Sequence, residues 1–144
     1  MSHPLPASSK HVLVVDDEPD FAGLLQSILV QAGYSATTAT NGEDALAEVR
    51  KRRPDLVTLD MKMPRRSGVH FYRAVKKDPA LRNLPVVVVT GLTRDDKDME
   101  NPIRSLLEPD NVPHPDAYVE KPIDEACFLR TVQETLSAGA PVGG

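Results

Sequence analysis

Short apolar runs alternate with helical patterns along the chain, and this alternation constrains its fold more than any other feature. Residues 11–15, 56–59 and 85–90 are rich in valine and leucine. Runs of this kind are typical of strands that are buried on both faces of a parallel sheet. Residues 35–40 and 117–120 are more polar and suit edge strands. The sequence therefore predicts five strands.

Helical patterns fill the intervals between these strands. Apolar residues recur at helical spacing over residues 19–32, and Gly33 is placed to end that helix. Asn41, Ser67 and Asp124 precede further helical patterns, and their side chains suit a helix N-cap. This alternation predicts a doubly wound α/β parallel sheet with right-handed crossovers. The flavodoxin-like strand order 2-1-3-4-5 puts both polar strands at the edges, so we expect that order.

The composition predicts a single cytoplasmic domain. A chain of 144 residues with 40% hydrophobic residues can bury a core. It has neither an apolar run near the ~20 residues of a membrane span nor the apolar stretch of a signal peptide. Its one cysteine fits a reducing compartment, and a net charge of −4 gives no sign of nucleic-acid binding. We expect Cys127 to be buried and the histidines to lie on the surface: His3, His11, His70 and His114.

One domain is expected over residues 10–138, with flexible tails at 1–9 and 139–144. The interval between residues 91 and 116 departs from the alternating pattern because it contains prolines at positions 102, 109, 113 and 115. Since proline interrupts a helix, we predict an irregular fourth helix region there.

Polar side chains stand where the predicted strands end. Asp16 and Asp17 follow the first strand, Asp60 the third, Thr90 ends the fourth and Lys121 follows the fifth. The carboxyl ends of parallel strands meet at one edge, where open α/β sheets bind ligands. Two charges 4 Å apart repel by about 4 kcal/mol at an effective dielectric constant of 20, so three carboxylates need a cation besides the lysine. An all-oxygen site favours Mg²⁺, with Mn²⁺ as an alternative, over zinc.

This set of groups suits phosphoryl transfer to an aspartate. A carboxylate can attack a phosphoryl group and form an aspartyl phosphate. A divalent cation and a lysine stabilise the charge on the transferring group, and a nearby hydroxyl can donate a hydrogen bond to it.

Four strings of the sequence resemble the signatures of the response-regulator receiver family. They are VVDDEPD, TLDMKMP, VVVVTG and YVEKP, in that order at the ends of strands 1, 3, 4 and 5. The resemblance extends over about residues 10–138. It implies a flavodoxin-like fold and a phosphorylation-dependent switch in a two-component phosphorelay.

The resemblance implies roles for the acidic residues. Asp60 is the phosphoacceptor and a metal ligand, Asp17 binds Mg²⁺ directly, and Asp16 binds it through water. The residue two positions after the acceptor, Lys62, is expected to give its backbone carbonyl to the metal.

The resemblance also implies three residues that respond to the phosphoryl group. Lys121 resembles the lysine that forms an ion pair with it. Thr90 resembles the switch hydroxyl. Tyr118, three residues before the lysine, resembles the aromatic residue that turns inward on activation.

The family's function implies the partners. The phosphoryl group is expected to come from a histidine kinase or a phosphotransfer protein, and an unidentified downstream protein reads the result. We expect no DNA-binding domain and no membrane contact, and nothing in the sequence indicates a homodimer. Such a protein is not an enzyme in the ordinary sense, because it catalyses only its own phosphorylation from small donors and its own dephosphorylation.

Two other interpretations stay open at this point. A degenerate receiver acting as a phosphate-independent scaffold is disfavoured by the complete acidic set, although the irregular region 91–116 leaves room for it. An aspartyl-phosphate phosphatase of the haloacid dehalogenase type needs a second acid two residues after its nucleophile, where this chain has Lys62. We also hypothesise that region 91–116 forms a non-standard output surface.

Overall fold

The computed structural model describes residues 10–60, 67–90, 116–120 and 122–139. Their strands are β1 (His11–Val15), β2 (Ser35–Ala39), β3 (Leu56–Asp60), β4 (Val86–Thr90) and β5 (Ala117–Glu120). Their helices are α1 (Pro19–Gln31), α2 (Gly42–Lys51), α3 (Ser67–Lys77) and α4 (Glu125–Gly139). The predicted irregular region lies outside these ranges except for Asp116, and the N-terminal tail lies outside them entirely.

The five strands form one parallel sheet in the order β2-β1-β3-β4-β5, which confirms the predicted topology. In the register, Val15 lies beside Leu59 and Asp60 lies beside Val89. The ends of β1 and β3 are therefore neighbours at the carboxyl edge of the sheet. The polar strands β2 and β5 are the two edges, as their composition predicts.

Both faces of the sheet are covered by helices. One buried cluster joins the sheet to α2 and α3, and its helical members are Ala45, Val49, Phe71, Tyr72 and Val75. The other joins it to α1 and α4 through Ala22, Leu25, Ile28, Leu29, Phe128 and Val132. Helices on both faces explain why the inner strands are apolar on both sides. In the described part of the chain, no helix has the length and apolar character that a membrane span needs.

Local sequence signals set the ends of the first two helices. Asn41 caps α2 as predicted, because its Oδ1 accepts a hydrogen bond of 2.7 Å from the N–H of Asp44. After α1, Gly33 has a φ of 102°, and the N–H of Tyr34 donates to the carbonyl of Leu29 at 3.0 Å. A positive φ favours glycine, so Gly33 ends α1 at the predicted position.

Two expectations about α3 and α4 were wrong. The helix α3 begins at Ser67 itself, so this residue lies inside the helix instead of preceding it as the cap. Cys127 is exposed, because Phe128 and Val132 take the buried positions of α4. The predicted cap of α4 is confirmed, since the Asp124 carboxylate accepts a hydrogen bond of 3.3 Å from the N–H of Cys127.

Candidate functional site

Three aspartate side chains meet at the carboxyl edge of the sheet. Asp60 is the last residue of β3, and Asp16 and Asp17 directly follow the neighbouring strand β1. One carboxylate oxygen from each lies within 4.8 Å of the other two. The structure therefore brings together the acidic residues that the sequence placed at the ends of these strands.

Two of these carboxylates are buried. Asp16 is 1% exposed and Asp60 is 2% exposed, whereas Asp17 is partly open to solvent. The backbone fixes Asp16 on both sides, since its Oδ1 accepts a hydrogen bond of 2.8 Å from the N–H of Glu18. Its own N–H donates to the carbonyl of Ala39, at the end of β2, at 3.0 Å. Asp16 is thus held in place before any ligand binds.

The electrostatics of the three carboxylates favour a bound cation. Ionised oxygens this close repel each other strongly, the more so because two of the side chains are shielded from water. The site offers oxygen ligands from carboxylates, which are the ligands that Mg²⁺ prefers. An ion with several of its own waters fits here, since Asp17 leaves one side of the site partly open. The residues present fit Mg²⁺.

The helix α1 starts at this site and borders an open groove. Glu18 is its N-cap and Pro19 its first residue. The groove has a volume of about 510 Å³ and is lined by Asp17, Glu18, Pro19, Asp20, Phe21 and Leu24. Leu24 is 49% exposed. The sequence analysis did not predict this groove. Its one sequence signal is Leu24, an apolar residue on the exposed side of α1.

Of the remaining predicted site residues, the structure describes the backbone position of two and leaves the other two outside its described ranges. Thr90 ends β4, the neighbour of β3, so its backbone lies at the same edge as Asp60. Tyr118 lies in the edge strand β5 and is 41% exposed, and partial burial raises the pKa of its hydroxyl. Lys62 and Lys121 lie outside the described residues, so their predicted contacts stay predictions.

Comparison with known proteins identifies the family. The model of the response regulator receiver domain matches residues 12–133. The chain belongs to this family. Protein Rrf1 of Nitratidesulfovibrio vulgaris is 39% identical to this receiver over 129 residues, which cover 90% of this chain and 84% of Rrf1. The polar-differentiation response regulator DivK of Brucella anthropi is 32% identical over 127 residues, 88% of this chain and 96% of DivK.

A solved structure agrees with the receiver assignment. It is the signal receiver domain of a signal transduction histidine kinase from Syntrophus aciditrophicus, with a TM-score of 0.75 and 29% sequence identity. The match covers 90% of this chain and 92% of that chain. The receiver is thus a flavodoxin-like signalling domain of two-component systems. Receiver domains generally bind Mg²⁺ at an acidic pocket.

Proposed function

We propose that this receiver accepts a phosphoryl group on Asp60 in the presence of Mg²⁺ and passes its phosphorylation state to another protein by direct contact. The observation that supports this most is the cluster of Asp16, Asp17 and Asp60 at the ends of two neighbouring parallel strands. The donor is a histidine kinase or a phosphotransfer protein, as expected for a relative of the response regulator DivK.

In this proposal Asp60 is the nucleophile. One of its carboxylate oxygens forms a bond to phosphorus while the bond between phosphorus and the donor's nitrogen or oxygen breaks, and the donor keeps that electron pair. The product is an aspartyl phosphate. Because Asp60 is only 2% exposed, the structure leaves bulk water little access to the carboxylate itself.

Asp17 and Asp16 act as metal ligands, the first directly and the second through water, and the backbone carbonyl of Lys62 is a further ligand. Bound Mg²⁺ supplies positive charge that offsets the carboxylates and the incoming phosphoryl oxygens. The N–H of Glu18 restrains the Asp16 carboxylate, which supports a fixed outer ligand.

Three further residues respond to the phosphoryl group in this proposal. Lys121 pairs with a phosphoryl oxygen, and the Thr90 hydroxyl donates a hydrogen bond to another. Tyr118 then turns from its exposed position in β5 toward the space near Thr90 and changes the surface that a downstream partner reads. Tyr118 is 41% exposed, so its ring can become more buried on such a turn.

The decisive experiment is intact-mass measurement after incubation with Mg²⁺ and acetyl phosphate. We expect one phosphoryl adduct in the wild type and in Glu134→Gln, which removes an exposed carboxylate of α4. Asp60→Asn should show none. Absence of an adduct in the wild type, under conditions that label another receiver, would favour a phosphate-independent scaffold. Continuous release of phosphate from varied monoesters would instead point to a phosphatase.

A further inference from the structure

His11 makes a paired contact at the opposite end of the sheet from the acidic site. It is the first residue of β1 and is only 7% exposed, so the expectation of a surface histidine was wrong. Its Nδ1 lies 2.7 Å from the Ser35 hydroxyl, and its Nε2 lies 2.8 Å from the Thr37 hydroxyl. Ser35 and Thr37 are two residues apart in β2, so both hydroxyls lie on the same face of that strand. The imidazole therefore joins β1 to β2 at two points.

The backbone of His11 is fixed as well. Its N–H donates to the Asp55 carboxylate at 2.7 Å, and the N–H of Asp55 donates to the His11 carbonyl at 2.7 Å. The imidazole thus extends toward β2 from a backbone position that is hydrogen-bonded to Asp55, next to the start of β3. Because the His11 backbone is held in this way, the ring can restrain β2.

The edge strand β2 needs such a restraint. Its sequence is SATTA, and its first four residues are only partly buried. Polar edge strands specify their register weakly, and a slip by one residue moves every side chain to the other face. In the observed register His11 lies beside Ser35. A one-residue slip would remove both hydroxyls from the ring, so these two contacts favour the observed register.

The far end of β2 positions a residue of the acidic site. The carbonyl of Ala39 accepts the hydrogen bond from the N–H of Asp16 at 3.0 Å. A shift of β2 along β1 would move this carbonyl and lengthen or break the hydrogen bond that it accepts from Asp16. A continuous path therefore leads from the imidazole through β2 to Asp16.

We propose that His11 is a positioning residue for Asp16, acting through strand β2, and that it holds this strand in place best while its imidazole is neutral. The consequence for phosphorylation rests on the function proposed above, whereas the link between His11 and Asp16 does not.

The protonation state matters because of what surrounds the ring. The Ser35 and Thr37 hydroxyls can accept as well as donate, so both hydrogen bonds are possible in either protonation state of the ring. What changes on protonation is that a positive charge enters a site that is only 7% exposed, which is unfavourable. The charged groups that act on the ring are Arg52 and Glu48 from the α2 side and Asp55 before β3. Burial and then Arg52 lower the pKa of His11, while Asp55 and Glu48 act in the opposite direction. Protonation of His11 in the folded protein is thus disfavoured, and acid should weaken the contacts between its ring and β2.

The test is amide hydrogen exchange of Asp16 between pH 7.5 and pH 5.5, corrected for the intrinsic exchange rate and measured without Mg²⁺ or a phosphodonor. In the wild type we expect the protection of the Asp16 amide to fall several-fold as the pH falls. Protection of Val57, whose N–H donates to Pro85 in the core, should change less. In His11→Gln the pH dependence at Asp16 should largely vanish, because the amide offers a donor and an acceptor but does not titrate.

The matched control is His70→Gln on the exposed side of α3, which should keep the wild-type profile. Equal pH dependence in His11→Gln and the wild type would overturn the proposal. A second measurement uses the wild type alone: the His11 ring resonances and the Asp16 protection should change with the same midpoint. Different midpoints would overturn the proposal even if the variant failed to fold.

The consequence for phosphorylation is tested by measuring the rate at which acetyl phosphate labels Asp60 at each pH. We expect it to fall less with acid in His11→Gln than in the wild type. An unlabelled wild type at pH 7.5 would contradict the proposed function while leaving the exchange result intact. Normal labelling with identical pH profiles in both proteins would contradict the role of His11 and leave the proposed function intact.

Discussion

The ammonium of Lys76 lies 5.6 Å from the centroid of the Tyr72 ring, and both side chains are buried in the C-terminal half of α3. It also donates to the carbonyls of Leu84 at 3.0 Å and Arg82 at 3.3 Å, in the turn that leads into β4. Burial lowers the pKa of Lys76, while the charge of Asp116 acts in the opposite direction. A buried cation therefore ties α3 to the turn before β4.

Replacing Lys76 should separate the effects of its volume and of its hydrogen bonds. We expect Lys76→Ala to lower the free energy of unfolding by about 2 kcal/mol, because it leaves a cavity and two carbonyls without their donor. Lys76→Met also removes the charge and both hydrogen bonds but fills most of the volume, so it should lose less. Urea unfolding measures both. Equal losses in the two variants would show that packing by the side chain contributes nothing.

The parts of this receiver that the sequence predicted are those that follow directly from the assignment of strands and helices. Asp16, Asp17 and Asp60 directly follow apolar runs, and parallel strands bring their carboxyl ends to one edge. Gly33 and Asn41 likewise act on the helix next to them. These contacts needed only the assignment of strands and helices.

The contacts that the sequence did not predict depend on strand register and on the packing of side chains. His11 meets Ser35 and Thr37 only because of the register of β1 with β2. Lys76 reaches backbone carbonyls, which have no sequence signal of their own. The groove at Leu24 depends on where α1 packs. Register and packing are properties of the assembled sheet, so a single sequence does not reveal them.

Gly23 should be replaceable with a gain in stability. It lies in the interior of α1 on the exposed side, and a Cβ added there would meet nothing within 4 Å. Alanine at a helix interior position is about 1 kcal/mol more favourable than glycine, so Gly23→Ala should raise the melting temperature by about 2–4 °C. Gly33→Ala is the matched control. Its φ of 102° disfavours a side chain, so this variant should melt at a lower temperature than the wild type.

The stability of the protein should fall in mild acid because of His11. Its pKa is lowered from the ordinary value of 6.5 in the folded state, so the unfolded chain binds more protons below that value. The stability that neutral His11 contributes is fully present above pH 6.5 and is lost as the pH falls through the lower pKa of the folded state. Urea unfolding between pH 7.5 and pH 5.5 should show this decline, and His11→Gln should show a shallower one. A steeper decline in the variant would contradict the assignment.

Neutralising Asp60 should stabilise the protein in the absence of divalent ions. The carboxylates of Asp16, Asp17 and Asp60 lie within 4.8 Å of one another, and two of the three are buried. Asp60→Asn removes one of the repelling charges at nearly constant volume, so we expect the free energy of unfolding to rise by about 1–2 kcal/mol.

Addition of Mg²⁺ should reverse the order of the two proteins. An ion present at 100 times its dissociation constant stabilises the folded state by about 2.7 kcal/mol, and the wild type should gain most of this while Asp60→Asn loses a ligand and gains less. Thermal unfolding with and without Mg²⁺ measures both effects. Glu134→Gln, which removes an exposed carboxylate far along α4, should follow the wild type in both conditions. If Asp60→Asn destabilised the metal-free protein, the buried carboxylates would have to be neutralised by the protein itself, and Mg²⁺ should then add little.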